Sequence, residues 1–145
     1  LKQALGDIGI QLELRYEDVP TWLKRVYHRY DFQMNVNYFY QLPDPVLGVH
    51  RHYGTDQIRK GTHFVNSSRY SNPKLDALLD SGAGEPDAAK RTAAYKEIQQ
   101  ILADDMPVVN LFELEFLVVY NTKLKGAYGS AMGAYGSFRE AYLDD

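Results

Sequence analysis

The sequence predicts an α/β domain, and three observations carry that reading. Two runs of strict apolar–polar alternation flank an amphipathic helix, two well-delimited helices follow further on, and the composition is that of an ordinary globular chain. Of 145 residues, 45% are hydrophobic and 13% aromatic, with 24% charged and a formal net charge of -3. That supplies material for a core and excludes disordered, collagen-like and coiled-coil classes.

Leu1 and Leu5 stand one helical turn apart and are followed by Gly6 and Gly9, which reads as the last turns of a helix with a glycine stop. From Ile10 the period switches to two. Ile10, Leu12, Leu14 and Tyr16 fall on one side and Gln11, Glu13 and Arg15 on the other, predicting a half-buried strand. Asp18 caps the next helix, whose apolar stripe is Trp22, Leu23, Val26, Tyr27 and Tyr30 and whose first turn accommodates Pro20. Phe32, Met34, Val36, Tyr38 and Tyr40 alternate with Gln33, Asn35 and Asn37 as a second strand, stopped by Pro43 and Pro45. Strand, helix, strand implies a parallel crossover unit with the helix on the sheet face.

Val46 to Arg69 has no clear period and holds three of the four histidines, so it is expected as a long loop or short irregular helices. Asn72-Pro73 starts a helix with the stripe Leu75, Leu78 and Leu79, stopped by Gly82 and Gly84. Asp87 opens the longest helix, to about Asp105, with Ala94, Ile98, Ile101 and Leu102 inward, and Met106-Pro107 ends it. Val108 to Tyr120 reads as one or two buried strands interrupted by Glu113 and Glu115, and the Gly-rich tail from Lys125 reads as irregular.

Charge and motif content narrow the chemistry. With no basic block beyond the helix face of Lys24, Arg25, His28 and Arg29, nucleic acid and anionic membrane are not expected partners. No apolar run approaches the ~20 residues that span a bilayer. Cysteine is absent, removing disulfides and thiolate chemistry. The chain starts with Leu1 and carries no basic-then-apolar leader, and is read as an excerpt of a longer protein. No Gly-x-Ser-x-Gly elbow or phosphate loop occurs, so neither a serine hydrolase nor a nucleotide cofactor is expected; Asp104-Asp105 and Glu113-x-Glu115 have no nucleophile beside them. His50, His52 and His63 would make a metal-dependent enzyme only if the loop folded back on itself.

The turn after the second predicted strand is the candidate ligand site. Open α/β sheets place ligands at the carboxyl ends of parallel strands, where this chain has Tyr38, Phe39 and Tyr40 with Asn37, Gln41 and Asp44. Tyrosine offers an apolar face and a hydroxyl, and the amides and carboxylate add donors and acceptors. Alternate tyrosines also pack as core or rim, and the period places Tyr38 and Tyr40 on the side of Met34 and Val36.

The string Tyr70-Ser-Asn-Pro-Lys-Leu-Asp-Ala-Leu-Leu79, Asp87 to Arg91 opening a long helix, and Ile101 to Pro107 resemble the extracellular solute-binding proteins of the dipeptide, oligopeptide and nickel ABC importers (family 5). Leu1 to Ile10, Trp22, Tyr30-Asp31-Phe32 and Asp44-Pro45 fit the same family in order. The resemblance implies the C-terminal lobe of a periplasmic-binding-protein-like (type II) two-lobed clamshell, a sheet with flanking helices. Residues 1–112 would be that lobe and 113–145 a segment crossing back to the first. It further implies a non-enzymatic receptor, periplasmic or extracellular, that passes a small-molecule or peptide ligand to permease subunits without a cofactor. In peptide-binding members an aspartate three residues before the Asp-Pro pair holds the peptide's α-ammonium; here Gln41 stands there and Tyr38 at the neighbouring aromatic position. A neutral amide does not supply that charge-assisted bond, which favours a neutral polar ligand. The same fold also serves as the ligand-sensing half of transcription regulators, which is the alternative function. The apolar run Leu114 to Tyr120 is expected to make the chain self-associate.

Overall fold

In the computed structural model, residues 1–114, 117–129, 132 and 135–144 are described. The chain forms two compact units, one of residues 1–36 and 60–63, the other of 37–59 and 64–145.

The first unit begins with α1 (Lys2–Gly6), after which Gly9 adopts φ 87, as expected for a glycine stop. α2 (Val19–Leu23) starts where Asp18 Oδ1 accepts the Thr21 N–H at 2.8 Å, and Pro20 sits in its first turn. The helix then widens into a π-type turn over Lys24–Arg29 and ends on a left-handed Tyr30 with φ 52. Val26 and Tyr27 are its buried residues, with the Trp22 ring set edge-on to Tyr27 at 5.7 Å. Arg25 joins Glu17 at 2.6 Å and Asp31, bracketing the helix from both sides.

Neither alternating run forms a strand. Residues 10–16 and 32–40 pair with nothing in a ladder, so the predicted parallel crossover and its sheet are absent among the described residues. The reason is physical: alternation is a tendency that a neighbouring strand converts into structure by taking up the backbone N–H and C=O groups. Without that neighbour the apolar side stays in water, with Ile10, Leu14, Met34 and Val36 all exposed.

The second unit holds the main core. A short helical stretch runs through a π-type turn, Val46–His50, into α3 (Arg51–Tyr53), and a 3-10 turn covers Thr55–Gln57, matching the expected short irregular helices. α4 (Pro73–Gly84) is capped by Asn72, whose Oδ1 accepts from Lys74 and Leu75 N–H groups. α5 (Ala88–Asp105) is capped by Asp87 in the same way and terminated by a left-handed Met106. Their apolar stripes meet as predicted: Leu75, Leu79 and Ile98 are buried to 1% exposure or less, with Leu78, Ile101, Leu102, Val49, Tyr53 and Tyr70 packed around them. Gly82 lets the helices approach, since a Cβ there would stand 3.3 Å from the Tyr95 ring. The Tyr70 hydroxyl donates to Asp105, and Asn72 Nδ2 reaches the same carboxylate at 3.0 Å, tying the start of α4 to the end of α5.

The described part of Val108 to Tyr120 contains no strand, and Glu115 and Phe116 lie outside the described residues. Here too the apolar side chains lack a ladder; Leu117 and Val119 are more than 90% exposed. The tail is less irregular than expected. β1 (Leu124–Lys125) and β2 (Tyr142–Leu143) pair antiparallel, with Leu124 opposite Leu143 and Lys125 opposite Tyr142, around a buried Ala127. Gly126, at φ 69, carries the Glu140 carbonyl oxygen 2.3 Å from where a Cβ would stand. The fold is thus a mixed one of helices and a small sheet.

Candidate functional site

The segment 37–44 lies wholly in the second unit, and its period-two character survives without a ladder. Odd and even positions face different surroundings. Phe39 and Gln41 both meet His52 of α3: the Phe39 and His52 ring centres are 3.8 Å apart, and the Gln41 amide end is 3.2 Å from His52 Nδ1. Tyr38 and Tyr40 are exposed instead, set edge-on at 5.9 Å. Tyr40 continues edge-on to Tyr135 at 5.8 Å, so three tyrosines form a stepped aromatic row. Hydrogen bonding with Tyr135, then burial, raises the Tyr40 phenol above its usual range. Tyrosine rings combine an apolar face with a hydroxyl, the chemistry an apolar or sugar-like ligand surface uses.

His52 is the buried anchor of the turn, 4% exposed. Burial first, and the Arg51 charge second, lower its pKa to about 4, so it is neutral at physiological pH. The Gln41 amide nitrogen stands 3.2 Å from Nδ1 and donates to it, and the Arg51 guanidinium lies 3.5 Å from Nε2 on the other side of the ring. Gly48 makes room for this: a Cβ there would stand 2.3 Å from the Gln41 amide end.

Asp44 closes the turn. Its Oδ1 accepts the Val46 N–H at 2.9 Å and the Arg91 guanidinium at 2.8 Å. Those two bonds, the backbone one foremost, hold the carboxyl below its usual range. Arg91 also donates to the Gly82 carbonyl at 3.1 Å and lies over the Tyr95 ring at 5.5 Å, so α5 is pinned to the turn. Asn37 Oδ1 accepts the Tyr38 N–H at 2.8 Å, shaping the start of the segment.

Of the residues singled out in the sequence, Tyr38 and Tyr40 share one exposed surface, Gln41 turns to His52, and Asn37 and Asp44 shape the two ends. Three partners escaped sequence reading. His52 stands in an aperiodic, histidine-rich stretch, Arg91 lies 47 positions from Asp44, and Tyr135 sits in a glycine-rich tail with no period to flag it. Among the described residues no group of three His, Asp or Glu side chains could hold a metal ion. His50 Nε2 faces Asp56 at 3.2 Å and His52 is enclosed as above, so His50, His52 and His63 do not form the cluster that a folded-back loop would make. No helix among the described residues is long and apolar enough to cross a membrane.

The chain is similar to three curated proteins. It is 28% identical over 126 residues to the probable D,D-dipeptide-binding periplasmic protein DdpA of Escherichia coli, covering 86% of this chain and 24% of that protein. It is 36% identical over 66 residues to protein XP55 of Streptomyces lividans, covering 46% of this chain and 12% of that protein. It is 31% identical over 80 residues to the probable ABC transporter periplasmic-binding protein SapA of Escherichia coli, covering 55% of this chain and 14% of that protein. The chain therefore spans at most about a quarter of the length of these relatives. No protein-family model matches it, and no solved structure matches it. The two Escherichia coli relatives are both named as probable periplasmic binding proteins.

Proposed function

We propose that the chain is part of the solute-binding component of an ABC importer, a non-enzymatic receptor in the periplasm or outside the cell. The carrying observation is the similarity to a dipeptide-binding periplasmic protein over 86% of the chain. In this reading residues 1–112 belong to the C-terminal lobe of a type II clamshell and 113–145 cross back to the other lobe. The low coverage of the relatives and the unpaired alternating runs support it, because the missing ladder partners would come from the rest of the receptor.

The ligand surface is the turn of Asn37, Tyr38, Tyr40, Gln41 and Asp44, extended by Tyr135. Tyr38, Tyr40 and Tyr135 supply stacking faces, and the turn's one carboxylate, Asp44, is engaged by Arg91 and the Val46 N–H. With Gln41 neutral and Asp44 engaged, a peptide α-ammonium would find no available carboxylate here. The ligand is an oligopeptide or other small polar solute, with capped peptides and neutral sugars favoured, and the receptor delivers it to permease subunits. Native mass spectrometry of the gently purified full-length protein tests this. A co-purified neutral or capped solute is the expected result. A free-amine peptide would refute the Gln41 argument, and an empty protein that also fails to bind any of a panel of peptides and oligosaccharides would refute the receptor reading.

A further inference from the structure

We infer that His28 and His63 form a binding site for a single late-transition-metal dication such as Zn2+. Their Nε2 atoms lie 3.0 Å apart and their ring centres 5.2 Å apart, on side chains that are both exposed. The pair is built from two segments of the first unit. His28 is in the last turn of the helical stretch Lys24–Arg29, and His63 follows a turn held by the Gly61 N–H donating to the Tyr27 carbonyl at 2.8 Å. Gly61 takes φ 89, which brings the backbone back under His28, and the buried Tyr27 ring supports His63 at 5.8 Å.

Two imidazole nitrogens this close hold either one shared proton or one metal ion. With metal–nitrogen bonds of about 2.0–2.1 Å, two imidazoles on a tetrahedral ion place their nitrogens about 3.3 Å and their ring centres about 5.2 Å apart. The ring centres already stand at that spacing, so binding needs only a tilt that opens the nitrogens by a few tenths of an ångström. Each ring ligates through Nε2 as the neutral Nδ1–H tautomer, so the hydrogen lying between the two Nε2 atoms is exchanged through solvent for one on Nδ1 and neither ring changes charge. The two remaining positions of a tetrahedral ion would be filled by water. Imidazole selects Zn2+, Ni2+ and Cu2+ over Mg2+ and Ca2+, which prefer oxygen.

The test is calorimetric titration of the full chain, free of any histidine tag, with Zn2+ alone. Wild type and His50→Gln are expected to take up one ion per chain at this site, and His28→Gln and His63→Gln to lose it. Mg2+ should not compete. Circular dichroism of each variant establishes that it is folded, and if one of the two is not, the other decides. Absence of uptake by wild type, uptake that survives either His28→Gln or His63→Gln in folded protein, or uptake lost in His50→Gln, would each overturn the assignment.

Discussion

His52 shows how one side chain sets the surface presented by its neighbours. Its ring backs Phe39 and its Nδ1 meets Gln41, so the intervening Tyr40 and the preceding Tyr38 are turned outward. The neutral form is the one that fits. Because the folded pKa lies at about 4, below the unfolded value of 6.5, the unfolded chain binds the extra proton between those pH values. Stability from this residue is complete above about pH 6.5 and falls as the pH drops toward 4. The full loss is of the order of 3 kcal/mol. Thermal melts followed between pH 7 and pH 4 should show that decline, and His52→Phe, which keeps the ring but not the proton, should flatten it. Gly48→Ala should act on the same contact from the other side. Its new Cβ displaces the Gln41 amide, costing about 1 kcal/mol for the lost hydrogen bond in denaturant titration. Asp44→Asn should weaken the hold of α5 on the turn through Arg91, measured as faster amide exchange at Val46.

At the scale of elements, the helices were legible and the strands were not. Asn72-Pro73, Asp87, Gly82 and the Leu75, Leu79 and Ile98 stripe are local signals, and each acts within one or two turns of where it is written. The alternation of 10–16 and 32–40 is equally clear, but its meaning depends on a partner strand that local sequence does not contain. The candidate site divides in the same way. Period and residue type single out Tyr38 and Tyr40 as candidates, whereas Arg91 and Tyr135 reach the turn through chain reversals of 47 and 95 positions. The α4–α5 pair carries the strongest expectation for stability. Leu79→Ala should cost 2–5 kcal/mol of unfolding free energy, as burial without exposure predicts, and Asn72→Ala about 1 kcal/mol through the lost cap.

For the whole molecule, the unpaired apolar residues dominate expected behaviour. Leu111, Phe112, Leu114, Leu117, Val118 and Val119 are exposed on one stretch of chain. Multi-angle light scattering of the isolated chain should show mass rising with concentration, and Val119→Lys should suppress it, since a charge in an exposed apolar run opposes strand pairing with another copy. A mass that stays at the monomer value throughout would count against self-association.

Trp22 is the chain's one tryptophan, and it sits against Tyr27 in the first unit, while the longest helices, α4 and α5, belong to the second. Two optical signals are thereby separated within one polypeptide. Emission excited at the red edge of the indole band follows the first unit alone, and far-ultraviolet ellipticity follows chiefly the second. Coincident denaturation curves from the two signals would mean that the units unfold as a single cooperative body, and displaced curves that each melts by itself.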